Sequence, residues 1–193
     1  MTTDAEDLID LLGDADPDVR LRAALELGEA RREDAAAALV ARFGMERDFA
    51  IRETLTWAVL RIQDAALPLV RDALHSPRWL ARLQAIHTLS KVGAFEDGAR
   101  LIPLVADPVD AVAARAYWAA AQARDPAAVP ALVAELSRGS SEQRNSLTVA
   151  LTHFGADAVP ALVGALRHGG TAAVRAHAAD TLALIGSPGA DRA

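Results

Sequence analysis

Cysteine is absent from all 193 residues, which excludes disulfides, thiolate nucleophiles and cysteine-based metal sites. Aromatic side chains make up only 4% of the chain, so small aliphatic groups must fill the interior. No apolar run reaches the roughly 18 residues a membrane-spanning helix needs, and no segment alternates as a strand would. The opening stretch MTTDAEDLIDLLGD is acidic and has neither the basic lead nor the long apolar run of a signal peptide. A cytoplasmic protein, not tied to a membrane, is the expectation. Basic residues are outnumbered too: 20 Lys and Arg face 26 Asp and Glu, a formal net charge of −6 at pH 7. Because nucleic-acid binding rests on neutralising phosphates, that balance speaks against such a partner.

Motifs for cofactor and metal chemistry are missing as well. The histidines are His75, His87, His153, His168 and His177. No two stand at i, i+4 as helical metal ligands would, and none is followed by Glu. Asp14, Asp16 and Asp18 imitate the start of a calcium loop, but Val19 stands where the glycine turn belongs and Leu25 where the closing glutamate belongs. Helix capping is the better reading of these acids. There is no P-loop, no G-x-G-x-x-G and no G-x-S-x-G elbow to accompany His168-Gly169-Gly170. No metal and no cofactor is therefore expected.

What the chain does contain is a repeat. Set in register, six copies start at Val19, Ile51, Ala81, Val112, Gln143 and Val174, with steps of 32, 30, 31, 31 and 31 residues. Periods of this length mark stacked supersecondary units that bury their apolar faces only against neighbours. Within each copy the positions read as buried, mostly apolar, recur at i, i+1, i+4: Ala23, Ala24, Leu27 in the first, then Leu55, Thr56, Val59, then Ala85, Ile86, Leu89. The series goes on as Ala116, Tyr117, Ala120, then Leu147, Thr148, Leu151, then Ala178, Ala179, Leu182. That spacing paints one stripe on an α-helix.

A shorter apolar segment precedes each stripe, beginning at Leu8, Ala38, Leu67, Leu101, Val129 and Val159. Pro68, Pro103, Pro130 and Pro160 are read as marking the starts of these first helices, where a missing N–H costs little. Turn residues such as Asp16-Pro17, Ser76-Pro77, Asp107-Pro108, Ser140 and Thr171 stand ahead of the second helices as caps. The expected fold is all-α, twelve helices forming one α-α superhelix (solenoid) of six two-helix repeats. One domain over residues 1–186 and a frayed tail over 187–193 follow.

The copies VRLRAALELG from Val19, ARLQAIHTLSKVG from Ala81 and VRAHAADTLALIG from Val174, with VPALV-type first helices and Asp-Pro turns between, resemble the short HEAT-like repeats first described in phycobilisome lyases. The resemblance covers roughly residues 5 to 186. The fourth copy departs from it with Ala113 where Arg is usual, and the fifth with Gln143 where Val is usual. Such repeats serve scaffolds, adaptors, chaperone-like lyases and a few enzymes. The resemblance also implies that the second helices line a concave face.

Two sets of residues stand out on those second helices. Arg20, Arg52, Arg82, Arg144 and Arg175 follow the start of their copies and are read as structural, each pairing with an acid or carbonyl in the adjoining turn rather than with a ligand. Positions three, six and ten after the start are read as one stripe away from the core. Its central members are Thr54, Trp57, Arg61, then Gln84, His87, Lys91, then Arg115, Trp118, Gln122. Two of only three tryptophans fall in one column of this stripe, the composition of a recognition surface; folding back over alanine-rich helices is the competing reading. Trp79 is read as a packing residue or an edge contact. The expected function is a non-catalytic scaffold or adaptor binding a protein or peptide on the concave face. Arg61, Lys91 and Arg115 would suit acidic segments of that partner, and a homodimer through the same face is the variant. The alternative is a HEAT-repeat enzyme, lyase-like or DNA-glycosylase-like, acting on a ligand in the groove. Trp57, Trp118 and Arg115 match the glycosylases in type, but no carboxylate stands at the centre of the stripe.

Overall fold

The computed structural model describes residues 5–93 and 97–186; the tail over 187–193 lies outside the described residues. Every regular element among them is helical. The chain divides into two compact units, Met1–Val92 and Gly93–Ala193, and three helical pairs make up each. The first contains α1 (Ala5–Leu11), α2 (Pro17–Glu29), α3 (Ala36–Arg42), α4 (Phe49–Arg61), α5 (Gln63–Ala73) and α6 (Trp79–Val92). The second contains α7 (Gly98–Leu101), α8 (Asp110–Ala123), α9 (Val129–Ala134), α10 (Ser141–His153), α11 (Val159–His168) and α12 (Ala172–Ile185). No single helix among the described residues is long and apolar enough to cross a membrane.

Stacking follows the apolar stripes. In the first unit α2 packs on α4 and α4 on α6, while α3 packs on α5; in the second, α8 packs on α10, α10 on α12, and α9 on α11. Ala24, Leu27, Leu55, Val59, Ala85 and Ile86 are fully buried in the first unit, as are Ala116, Leu132, Leu151 and Ala178 in the second. Alanine dominates the contact side of α8, where Ala113, Ala116, Ala119, Ala120 and Ala121 are all buried, so helices can approach closely. Ala179 and Leu182 are only half-buried. Gln143 occupies the buried start position despite its polarity, so the register holds through the fifth copy.

Caps begin the second helices as the turn residues promised. Asp16 Oδ1 accepts from the N–H of Asp18, Ser140 from Gln143 and Thr171 from Val174, and Asp48 accepts from both Ala50 and Ile51. Asp14 Oδ1 accepts from Asp16 N–H, so the three acids form successive turns of a cap. Helix ends obey a rule the periodicity did not reveal. The residue twelve after the start takes a left-handed conformation in four copies: Arg31 (φ 50), Gly93 (φ 71), Arg124 (φ 51) and Gly155 (φ 53).

First helices depart from the simple picture. Pro130 and Pro160 do stand in the opening turn of their helices, each after a 3₁₀ turn, whereas Pro103 opens only the 3₁₀ continuation of a first helix that begins at Gly98. Pro68 instead lies inside α5, because α4 and α5 join directly at Ile62 and α5 already begins at Gln63. In the fourth copy the first helix is one α-turn, Gly98–Leu101, continued as a 3₁₀ stretch over Ile102–Ala106.

The recurring arginines close the turn inside each pair. Arg20 Nη1 donates to the carbonyls of Asp14 and Ala15, Arg52 Nη1 to Glu46 and Arg47, Arg82 Nη1 to Ser76, Arg144 Nη1 to Gly139 and Arg175 Nη1 to Gly169. Each acceptor lies five or six residues back, so the arginine fastens its own helix to the turn that feeds it. Copy four, with Ala113 in this place, borrows the service. Arg138, from the turn of the fifth copy, donates Nη2 to the Asp107 carbonyl and pairs with Asp110 and Glu135. Glu46 stands at the equivalent position of the second copy and grips the first copy's Arg20 at 2.8 Å and Arg42 at 2.9 Å.

Candidate functional site

The stripe of the second helices is mostly exposed at positions +6 and +10, whereas position +3 is exposed at Arg22, half-buried at Thr54, Arg115 and Ser146, and buried at Gln84 and His177. Helical geometry turns residue +3 about 60° away from +6, toward the preceding second helix. Gln84 is therefore only 4% exposed, and its Nε2 donates to Thr56 Oγ1 at 2.6 Å and to the Arg52 carbonyl at 3.4 Å. Thr88 Oγ1 in turn donates to the Gln84 carbonyl. Placing Gln84 on a partner-binding surface is corrected by this burial. The second unit builds the same cluster from the same positions: His177 Nε2 lies 2.8 Å from Thr148 Oγ1, its Nδ1 donates to the Leu136 carbonyl at 2.9 Å, and Thr181 bonds the His177 carbonyl. A buried donor to a carbonyl fixes the Nδ1–H tautomer.

Residue +6 is exposed in five copies and half-buried in the third, at His87. Trp57 is 37% exposed and Trp118 44%. Leu25 and Val149, at the same position of the first and fifth copies, are exposed too, as is Leu184 further along the last. Trp57 is also seated: a Cβ at Gly28 would lie 2.4 Å from its Cζ3, so the ring rests on the glycine of α2. The Arg61 guanidinium stands 5.8 Å from the ring centroid, a cation–π contact. The ring is thus packed on one side and exposed on the other.

His87 and Lys91 share one partner. Glu53, on α4, lies between them, with Oε1 2.8 Å from His87 Nε2 and Oε2 2.8 Å from Lys91 Nζ. Partial burial pushes the Glu53 carboxyl upward, but the Lys91 ammonium and the His87 ring outweigh it and hold the group below its ordinary value. Sequence reasoning missed Glu53 because it stands two residues after the start, between the core stripe and the outward one. Thr54, beside it, bonds the Ala50 carbonyl. In the second unit Arg115 is half-exposed and Gln122 exposed alongside Trp118.

A second set of exposed apolar groups lies at the opposite end of the helices of the first unit. Met45, Phe49 and Trp79 are all exposed, Trp79 by 43%, and the Arg52 guanidinium stands 5.8 Å from the Phe49 ring centroid. Trp79 is thus an edge group rather than a core one. No group of three or more His, Asp or Glu able to hold a metal occurs among the described residues.

Comparison with solved structures bears on the architecture. An engineered protein of known crystal structure is similar with a TM-score of 0.54 at 19% identity, the match covering 95% of this chain and 96% of that one. A designed armadillo repeat protein in complex with the peptide (KR)4 aligns with a TM-score of 0.37 at 18% identity, over 94% of this chain and 81% of that one. The complex of CpcE and CpcF of phycocyanin lyase from Nostoc sp. PCC7120 aligns at 0.34 and 17%, over 94% of each chain. No family model matches the chain, and no curated protein matches it. With its six helical pairs in register, the chain is an all-α helical repeat protein.

Proposed function

We propose that this protein is a non-catalytic scaffold or adaptor of the cytoplasm that binds a protein or peptide partner on the outward face of its second helices. Residues 1–186 act in this reading as one repeat domain. Thr54, Trp57 and Arg61 serve in the first unit, with His87 and Lys91 as a polar margin clamped by Glu53, and Arg115, Trp118 and Gln122 serve in the second. The observation that carries the reading is that each unit exposes apolar groups at this one repeat position: Leu25 and Trp57 in the first unit, Trp118 and Val149 in the second. A core needs none of them outside, and half-exposed tryptophan beside arginine is the composition of an interface anchor. Acidic segments suit Arg61 and Arg115 more than Lys91, whose charge Glu53 already answers.

The test is affinity capture from the source cell with the wild-type chain and with Trp118→Ala and Val149→Ser, each first shown to melt like wild type. A partner retained by wild type and lost by both variants supports the reading. Partners unaffected by either variant would refute it.

A further inference from the structure

We propose a second docking surface, on the first unit and separate from the second-helix face, that takes an acidic peptide segment carrying apolar side chains. Two depressions meet at Gly44, Met45 and Arg78. The larger, about 780 Å³, is lined by Met45, Trp79 and three arginines, Arg47, Arg52 and Arg78. The smaller, about 410 Å³, runs between α3 and α5 over Val40, Ala41, Leu69 and Ala73. Together they make a groove with an apolar trough at one end and a cationic cup at the other.

Charge complementarity names the occupant. No carboxylate is among the described residues lining either depression, although the chain as a whole carries −6. Of the acids adjacent in sequence to these residues, Glu46 is engaged by Arg20, Arg42 and the Asp48 N–H, Asp48 by the N–H groups of Ala50 and Ile51, and Glu53 by His87 and Lys91, while Asp72 is exposed beside Ala73. Arg47 and Arg78 are exposed and make no ion pair among the described residues. The Arg78 stem is laid across Gly44, where a Cβ would come within 2.9 Å of its Cδ, and this directs it over the cup. Two exposed planar donors, Arg47 and Arg78, with Arg52 adding positive charge behind them and an exposed indole alongside, favour carboxylates flanked by aliphatic groups. A nucleic acid would use the arginines but leave the trough and the exposed Met45 uncovered, against an unfavourable net charge.

The experiment is fluorescence anisotropy of the full chain with a short fluorescein-labelled peptide of glutamate and leucine. The same peptide with lysine for glutamate and a single-stranded oligothymidylate serve as competitors and as direct probes. Saturable binding of the Glu/Leu peptide is expected, weakened by salt and weakened about tenfold or more by Arg47→Glu and by Trp79→Ala. Arg78→Lys, which keeps the stem over Gly44, should weaken it less than Arg78→Glu. Trp118→Ala should leave it unchanged, which separates this surface from the second-helix face. Absence of binding, equal binding of the lysine peptide or the oligonucleotide, indifference to Arg47→Glu, or equal loss on Trp118→Ala would each overturn the proposal.

Discussion

Glu46 offers the sharpest perturbation. It is a carboxylate almost fully enclosed at the junction of the first two repeats, contacted by the Arg20 and Arg42 guanidinium groups and by the Asp48 N–H. Burial would push its carboxyl upward, but Arg20, the Asp48 amide and Arg42 together hold it at about 2. Against an unperturbed value near 4.5, that is roughly 2.5 pH units of preference for the charged form, or about 3 kcal/mol of stability at neutral pH. Because the folded value is the lower one, this contribution is complete above about pH 4.5 and is lost as the pH falls from there toward 2. Glu46→Gln keeps the shape and an acceptor for the Asp48 amide while removing the charge, so it should cost about 2–3 kcal/mol at neutral pH. It should also flatten the acid limb of the stability curve. Urea unfolding followed by far-ultraviolet circular dichroism, repeated down through that pH range, reads both effects. A variant within 1 kcal/mol of wild type, or one with an unchanged acid limb, would refute the assignment of this stability to Glu46.

Other expectations follow from single contacts. Gly28→Ala drives a methyl into the Trp57 ring and to within 2.9 Å of the Ala58 backbone, and thermal melts should show a loss of about 1–3 kcal/mol. Trp57→Ala should cost about 2 kcal/mol through the same seat, whereas Trp118→Ala should cost under about 1; equal losses would mean that Trp118 is also packed. Arg138→Met removes the fastening of the fourth copy's turn together with its pairs to Asp110 and Glu135, for an expected loss of about 2–3 kcal/mol of unfolding free energy, read by denaturant titration. Arg124→Gly relieves a left-handed arginine at φ 51 and should raise stability by up to about 1 kcal/mol; a decrease would show that the arginine side chain matters more than its backbone.

The pairing of helices was legible because burial repeats with the helix: Leu27, Val59 and Leu89 fall one repeat apart and all lie in the interior. The caps were legible because Asp16, Ser140 and Thr171 bond within three residues of themselves. Contacts between repeats were not. Gln84 reaches Thr56 across 28 residues and Glu53 reaches Lys91 across 38, and no local pattern announces either. Pro68 misled for a related reason. The absence of any loop between α4 and α5 depends on how Ile62 tucks between them, a tertiary fact that proline statistics do not carry.

The loan of Arg138 to the fourth repeat has an evolutionary and engineering consequence. Repeat arrays are commonly imagined as strings of interchangeable beads, gained and lost by whole-unit duplication. Here the bead beginning at Val112 is complete only with its successor, since Ala113 cannot bind the Asp107 carbonyl and Arg138 does so instead. The bead beginning at Val19 likewise presents Arg20 to an acid that belongs to the next. The transferable piece is therefore a pair of neighbours, and a chimera cut between residues 123 and 138 would inherit an open turn even though each fragment carried an intact helical pair.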